Sequence, residues 1–213
     1  MKRSISSPYG PEDLARDLGV SRETIERLKA YADLLRRWQV KLNLVGSDTV
    51  DDLWRRHILD SGQLARHLPP RFDILYDIGS GAGLPGLILS ILGVTNICLV
   101  ESDLRKAAFL REAARFTGAP ASIHAGRLEM LAIAGTAGEA RVLTARAVAP
   151  LESLLDLARP LIGPGTVCLF HKGANAPAEI EQARRHWSMR LEAHPSLSDV
   201  RGVILRIDEL AHD

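Results

Sequence analysis

From Arg71 onward the chain alternates short apolar runs with amphipathic stretches, and this alternation limits its fold more than any other feature. The runs are too short for typical helices and lack the polar face of a half-exposed strand. They read as strands covered on both sides. The predicted strands are Ile74–Ile78, Ile97–Glu101, Ser122–His124, Val142–Ala145, Thr166–His171 and Gly202–Ile207. Predicted helices cover Pro85–Leu92, Asp103–Thr117, Leu151–Leu161 and Pro177–Trp187. Strands alternating with helices imply an α/β fold with a doubly wound, mostly parallel sheet. Such sheets bind ligands outside the carboxyl ends of their strands, which is where chemistry is expected.

Residues 11–68 have a helical period instead. Ser21 is a fitting N-cap with Glu23 in the first turn, and Ile25, Leu28, Ala32, Leu35 and Trp38 follow at helical spacing. A second helix is predicted from Val50 to Leu68, ended by Pro69-Pro70. The expected organisation is an N-terminal helical extension over 1–70 and a sheet domain over 71–213, together one compact unit.

Composition removes several classes. With 46% hydrophobic and 25% charged residues, the chain is neither disordered nor a disulfide scaffold. The longest apolar run, Leu84 to Val94, is broken by Pro85, Gly86 and Gly93, so no membrane span is expected. Met1-Lys2-Arg3 is basic but Ser4 to Pro11 forms no signal core, and Cys98 and Cys168 stand apart in apolar runs, which points to a cytoplasmic protein with reduced thiols. No His/Cys cluster has ligand spacing, so no metal is expected. The net charge is only +1. A nucleic-acid protein of this charge must use a small patch, and Arg36, Arg37, Lys41, Arg55 and Arg56 are the best candidates. Trp38 and Trp54 read as packing residues.

The segment Asp77-Ile78-Gly79-Ser80-Gly81-Ala82-Gly83-Leu84-Pro85-Gly86 follows a strand and opens a helix. Its glycines allow a tight turn and close backbone approach to a ligand, and Pro85 suits a first helical position. Gly81-x-Gly83-x-x-Gly86, with Glu101 twenty residues beyond Gly81, matches a dinucleotide fingerprint. The fuller pattern, with Asp77 ahead of the first glycine, resembles the first motif of S-adenosylmethionine (SAM) methyltransferases, and Glu101 resembles their second. In that reading Asp77 can meet the methionine ammonium, and Glu101 accepts bonds from the ribose hydroxyls. A nicotinamide cofactor is the rival.

Three segments, Trp38-Gln39-Val40-Lys41-Leu42-Asn43-Leu44, Arg56-His57-Ile58-Leu59-Asp60-Ser61 and Asp77 to Gly86, resemble the bacterial small-subunit ribosomal RNA guanine-N7 methyltransferases, also called the glucose-inhibited division protein B family. Collinear matches continue at Glu101-Ser102 with Lys106, at Phe109-Leu110-Arg111, Gly126-Arg127-Leu128-Glu129, Ala145-Arg146-Ala147 and Lys172-Gly173. The resemblance spans about Leu34 to Gly173; beyond Ala174 it holds only by position, and residues 1–20 do not align.

The resemblance implies a seven-stranded SAM-dependent methyltransferase domain behind the helical extension. It implies methyl transfer to N7 of one guanosine in the decoding-region loop of 16S ribosomal RNA, free or within the small subunit or an assembly intermediate. SAM would leave as S-adenosylhomocysteine, and the protein would act as a monomer. The implied cofactor residues are Asp77, Gly79, Gly81, Gly83, Leu84, Glu101, Ser102, Leu128, Glu129 and Arg146. The catalytic candidates are Arg146, Asn43, His57, Asp60 and Lys172. Glu101 stands where many relatives have Asp, and Val148 and Pro150 where Phe and Ser are common.

The chemistry agrees with these residues. Guanine N7 carries a lone pair and no proton, so its methylation needs no general base, and the chain shows no convincing catalytic dyad. Alignment and exclusion of water are what such a site must supply. Arg146, at a strand end, can orient cofactor, phosphate or the guanine edge. His57 and Asp60 share a helix face, either as part of an RNA-contacting lid or as a polar pair that orients the helix. Lys172 is placed for a phosphate contact. Two rival functions remain: a SAM methyltransferase acting on a protein or small molecule, and a nucleotide-binding protein without turnover.

Overall fold

The computed structural model describes residues 9–133 and 142–212. The basic Met1-Lys2-Arg3 run lies outside the described residues. The helical extension is α1 (Pro11–Leu18), α2 (Arg22–Gln39) and a distorted helix, α3, over 54–67. The sheet domain follows as β1 (Leu75–Ile78), α4 (Gly86–Ile91), β2 (Ile97–Glu101), α5 (Leu104–Thr117), β3 (Ala121–Ala125), α6 (Leu128–Ile133) and β4 (Val142–Arg146). It ends with α7 (Leu151–Ala158), β5 (Val167–Lys172), α8 (Ala176–Ala183), β6 (Trp187–Pro195) and β7 (Val203–His212). The seven strands lie in the order β3-β2-β1-β4-β5-β7-β6. β1 to β5 pair in parallel and β7 is antiparallel to both neighbours.

The strands read as continuous apolar runs because successive residues feed two different cores. Leu75, Ile97, Leu99, Val142, Val167 and Leu169 join the core that also holds Leu28, Tyr31 and Leu35 of α2. Tyr76, Ile78, Cys98, Leu143, Cys168 and Phe170 join the core under α7 and α8. α4 and α5 cover this face of the sheet, and the helical extension packs over them and into the same core.

Local signals account for the helix ends. The Ser21 hydroxyl accepts the Thr24 N–H at 3.2 Å, as an N-cap should. Ile25, Leu28, Ala32 and Leu35 are all buried. Trp38 packs edge-on against Phe109 with ring centroids 5.7 Å apart, and Trp54 also packs on this core. From α2, the Arg27 guanidinium donates to the last carbonyls of α5, Thr117 O at 2.7 Å and Gly118 O at 3.0 Å. Tyr31, fully buried, donates to Ala82 O in the glycine loop at 2.7 Å.

Three expectations need correction. The regular helix from Val50 to Leu68 is instead a 3-10 turn at Ser47–Thr49, then π-helical over Trp54–Leu59, α-helical over Asp60–Gly62 and 3-10 over Gln63–His67. The helix predicted over Pro177–Trp187 ends at Ala183, and Trp187–Pro195 is a strand. Its sequence alternates Trp-Ser-Met-Arg-Leu-Glu, a period-two signal at the sheet edge. Pro85 lies just ahead of its helix, in a cis peptide with Leu84, and the helix begins at Gly86. No helix among the described residues is long and apolar enough to cross a membrane.

Candidate active site

The strand order reverses between β1 and β4, so the crevice at their carboxyl ends is where the topology places a ligand. On the β1 side the chain forms the glycine loop. Gly79, Gly81 and Gly83 take φ of 64, 56 and 83°, the left-handed region where a side chain is strained. A Cβ at Gly81 would meet nothing nearer than Gly79 O at 3.8 Å, so this part of the loop faces open space. Gly86 is the opposite case: its Cβ would lie 2.5 Å from Leu99 Cδ2 and 2.6 Å from Asp77 Cβ. It lets α4 press onto the sheet.

Glu101 ends β2 with its carboxylate under the loop. One oxygen accepts the Gly81 N–H and the other the Asp103 N–H, both at 2.8 Å. Each carboxylate oxygen has a second lone pair, so Glu101 can still accept hydroxyl donors. Asp77 is different. It is fully buried, with Oδ1 accepting the Thr144 hydroxyl at 2.7 Å and Oδ2 accepting the Gly86 N–H at 3.1 Å. Burial pushes its carboxyl up to about 6, against the pull of the Thr144, Ser80 and Gly86 hydrogen bonds. The expected meeting with an ammonium group is thus not what its position serves. Asp77 braces the loop and the start of α4 from below.

On the β4 side lies a cleft of about 970 Å³, walled by the 43–49 segment, α3, the ends of β4 and β5, and the turn between β6 and β7. Arg146 ends β4 and pairs in register with His171 of β5. Both point to the sheet face covered by the helical extension. The Arg146 guanidinium donates to Arg56 O at 3.0 Å, Asp60 Oδ2 at 3.1 Å and His57 Nδ1 at 2.8 Å. A guanidinium only donates, so His57 Nδ1 carries the lone pair and the proton is on Nε2. Nε2–H then reaches Thr49 Oγ1 at 2.8 Å, and the Thr49 hydroxyl donates to Gly46 O at 2.7 Å. At the other end of this segment, Gln39 holds the Leu44 N–H, the Val45 N–H and Val45 O. The loop that presents Asn43 is pinned from both sides.

Asp60 gathers further donors, Ser198 Oγ from the β6–β7 turn at 2.5 Å and Gln63 Nε2 from its own helix at 3.1 Å. His171 Nε2 donates to Asp60 O at 2.8 Å, and its Nδ1 is buried without a partner among the described residues. Burial, then the Arg146 charge, pushes the His57 imidazole down to about 4. Burial alone would raise the Asp60 carboxyl, but His171, Arg146 and the Ser198 bond together bring it below the usual range. Burial also lowers His171, against the pull of Asp60, while Arg146 supplies the lasting positive charge.

The structure thus brings Arg146, His57 and Asp60 into one cluster and sets Asn43, exposed, on the rim of the same cleft. Lys172 also lines this cleft, but its charge is engaged in the wall. One residue beyond His171 it points to the opposite sheet face, where its ammonium meets Glu179 at 2.8 Å and Ala149 O at 2.7 Å. Glu179 also accepts the Leu151 N–H at 2.9 Å. From the cleft wall, Lys172 fastens the loop after β4 to α8. Of the other predicted cofactor residues, Leu84 and Leu128 are buried, while Ser102 and Glu129 are exposed. Sequence reasoning missed His171, Thr49, Gln63, Ser196 and Ser198. Only His171, at a strand's carboxyl end, carried a positional signal.

The two halves touch. A Cβ at Gly79 would lie 2.9 Å from Val148 Cγ2, so Val148, two residues past Arg146, covers the first loop glycine. This sheet order, with a glycine loop after β1 and an acid after β2, defines the fold as that of the SAM-dependent methyltransferases. Among solved structures, a ribosomal protein L11 methylase from Lactobacillus delbrueckii subsp. bulgaricus superposes with a TM-score of 0.53 at 19% identity, over 70% of this chain and 76% of that one. A glycopeptide N-methyltransferase complexed with SAM gives 0.54 at 10% identity, over 71% and 93%.

Within that class, residues 24–204 match the family described as rRNA small subunit methyltransferase G, and the chain belongs to it. The protein of that name from Rhodospirillum centenum is 51% identical over 199 residues, 93% of this chain and 90% of the relative.

Proposed function

We propose that the protein transfers a methyl group from SAM to N7 of one guanosine in the decoding-region loop of 16S ribosomal RNA. The observation that carries this reading is the contact between an open glycine loop and a polar cleft across Val148. Such a layout suits a methyl donor on one side and a nucleobase on the other. The residues fit the donor: Gly81 leaves room for it, and Glu101 has lone pairs free for its ribose. Gly79, Leu84, Ser102, Leu128 and Glu129 are the further proposed contacts.

When bound, SAM supplies an electrophilic methyl group on a sulfonium and departs as S-adenosylhomocysteine. The attacking N7 has no proton to lose, so no side chain need act as a base. What the chain supplies is position. Three of the five Arg146 N–H groups are held by Arg56, His57 and Asp60. The remaining two have no partner among the described residues and can orient a guanine edge or a phosphate. His57, neutral at pH 7, leaves that guanidinium in place without adding a charge near the base. Asn43 adds an amide at the rim. The reading extends to a monomer working in the cytoplasm on the small subunit or its precursor.

The test is methyl transfer from labelled SAM to unmodified 16S RNA and to small subunits, with nucleoside mass analysis. The expected product is a single 7-methylguanosine in the decoding-region loop. Label in protein, or none with SAM binding intact, would overturn the substrate. Gly81→Asp should abolish SAM binding in calorimetry while the protein stays folded; unchanged affinity would remove the glycine-loop assignment.

A further inference from the structure

A second cavity, about 480 Å³, runs along the seam between α2 and α5. Leu34, Trp38 and Leu42 form its floor, and Arg37, Lys41 and Arg105 stand on its walls with a single carboxylate, Glu112. Neither Arg37 nor Lys41 has an ion-pair partner among the described residues. Arg37 lies over the Phe116 ring, 5.7 Å from its centroid, and Arg105 is shared with Asp103. Large exposed apolar side chains are few. Among the described residues they are Val40, Leu104, Phe116, Met130, Leu197 and Val200. The first three adjoin groove cations, either in sequence or by ring contact.

Cations interleaved with apolar and aromatic surface are how proteins hold single-stranded nucleic acid, the charges on phosphates and the flat faces on bases. The groove is also continuous with the cleft along the chain. Lys41 and Leu42 line the groove, and Asn43, next in sequence, lines the cleft. The groove thus begins one residue along the chain from the cleft. In a protein of net charge +1, Arg37 and Lys41 beside one groove acid, with Arg105 already paired to Asp103, are a local excess of positive charge.

We infer that the α2–α5 groove is a docking surface for the single-stranded ribosomal RNA flanking the target base, with Arg37 and Lys41 on phosphates. This rests on the reading under Proposed function. It also divides the patch expected from sequence. Arg55 lies over the Tyr9 ring at 4.8 Å, Arg56 lines the cleft, and only Arg37 and Lys41 of that set line the groove.

The test compares the double variant Arg37→Ala/Lys41→Ala with Arg184→Ala/Arg185→Ala, which removes the same charge from exposed positions just past α8. Binding of a labelled 16S fragment containing the target loop is followed by anisotropy over a salt series, and SAM binding by calorimetry. The groove variant should lose about tenfold or more in RNA affinity, with a log–log salt slope shallower by about 1.4 for two lost phosphate contacts. Its SAM affinity should stay within about twofold, which shows that it is folded. RNA affinity and slope equal to the control would overturn the inference. So would a defect seen only on assembled subunits, because the groove would then take a ribosomal protein. A wild-type protein that neither binds nor methylates RNA overturns the inference together with the reading beneath it. That result is distinct from a wild type that methylates normally beside an unaffected groove variant.

Discussion

The ends of β1 and β2 and the ends of β4 and β5 solve the same problem by opposite means. The first site is local. Asp77, Gly81, Gly86 and Glu101 lie within twenty-five residues, and the two carboxylates are held by backbone N–H groups and by Thr144 of the neighbouring strand. The second is assembled from the 43–49 segment, α3, two strand ends and the β6–β7 turn, joined almost wholly by side chains. The local site tolerates little change in shape where Gly86 is pressed against the sheet. An assembled site depends on charge balance, because Arg146 and Asp60 each hold groups that would otherwise be buried unpaired.

The largest effect tests shape. Gly86→Ala puts a methyl group 2.6 Å from Asp77 Cβ, where nothing flexible can yield, and should cost more than about 3 kcal/mol in urea unfolding. Gly81→Ala meets open space and should cost only about 1 kcal/mol of left-handed strain. Equal costs would mean that the two glycines do not play separate roles.

Charge balance comes next. Arg146→Met leaves Asp60 without its guanidinium. The pair is partly reached by solvent, with side-chain exposures of 18% and 14%, so the loss should be about 2 to 3 kcal/mol, below that of a sealed pair. Adding Asp60→Asn should restore part of it. A double variant less stable than the single would show that Asp60 matters for reasons other than its charge.

The smallest effect separates the halves by pH. Asp77 titrates near 6 when folded and near 3.8 when unfolded, so the folded state favours its proton. Its contribution is full below pH 3.8 and is lost as pH rises through 6. His57 titrates near 4 when folded and 6.5 when unfolded, so its contribution is full above pH 6.5 and is lost as pH falls through 4. The two oppose each other between pH 4 and 6. Asp77→Asn, which keeps the shape, should raise stability at pH 7 by about 2 kcal/mol and leave a curve that falls steadily with acid. A flat curve in that variant would show that His57 is not held neutral by the fold.

Much of this was legible before any coordinates. The six apolar runs predicted as strands all fall on strands, because burial on both faces leaves an unbroken signature. The Ser21 cap and the glycine loop were also legible, since both are short-range chemistry. The edge strand Trp187–Pro195 is missing from the predicted strands, its first residue being assigned to the preceding helix, because one exposed face dilutes its pattern. The irregular winding of α3 answers to the contacts around it: Arg56 O, His57 and Asp60 all converge on one guanidinium.

The sequence by itself determined the layers, the direction of most strands and the open loop after β1, because alternation, capping and glycine act over a few residues. Only the tertiary structure decided what the polar residues do. His171 and Lys172 are adjacent and both line the cleft, yet the pleat turns one to the Asp60 carbonyl of α3 and the other into an ion pair with Glu179 of α8. Asp77, read as a ligand acid, is sealed beneath the loop it supports because its strand position faces α4. The physical reason is the same each time. A side chain's partners depend on which face of the sheet it reaches and what the rest of the chain has laid there.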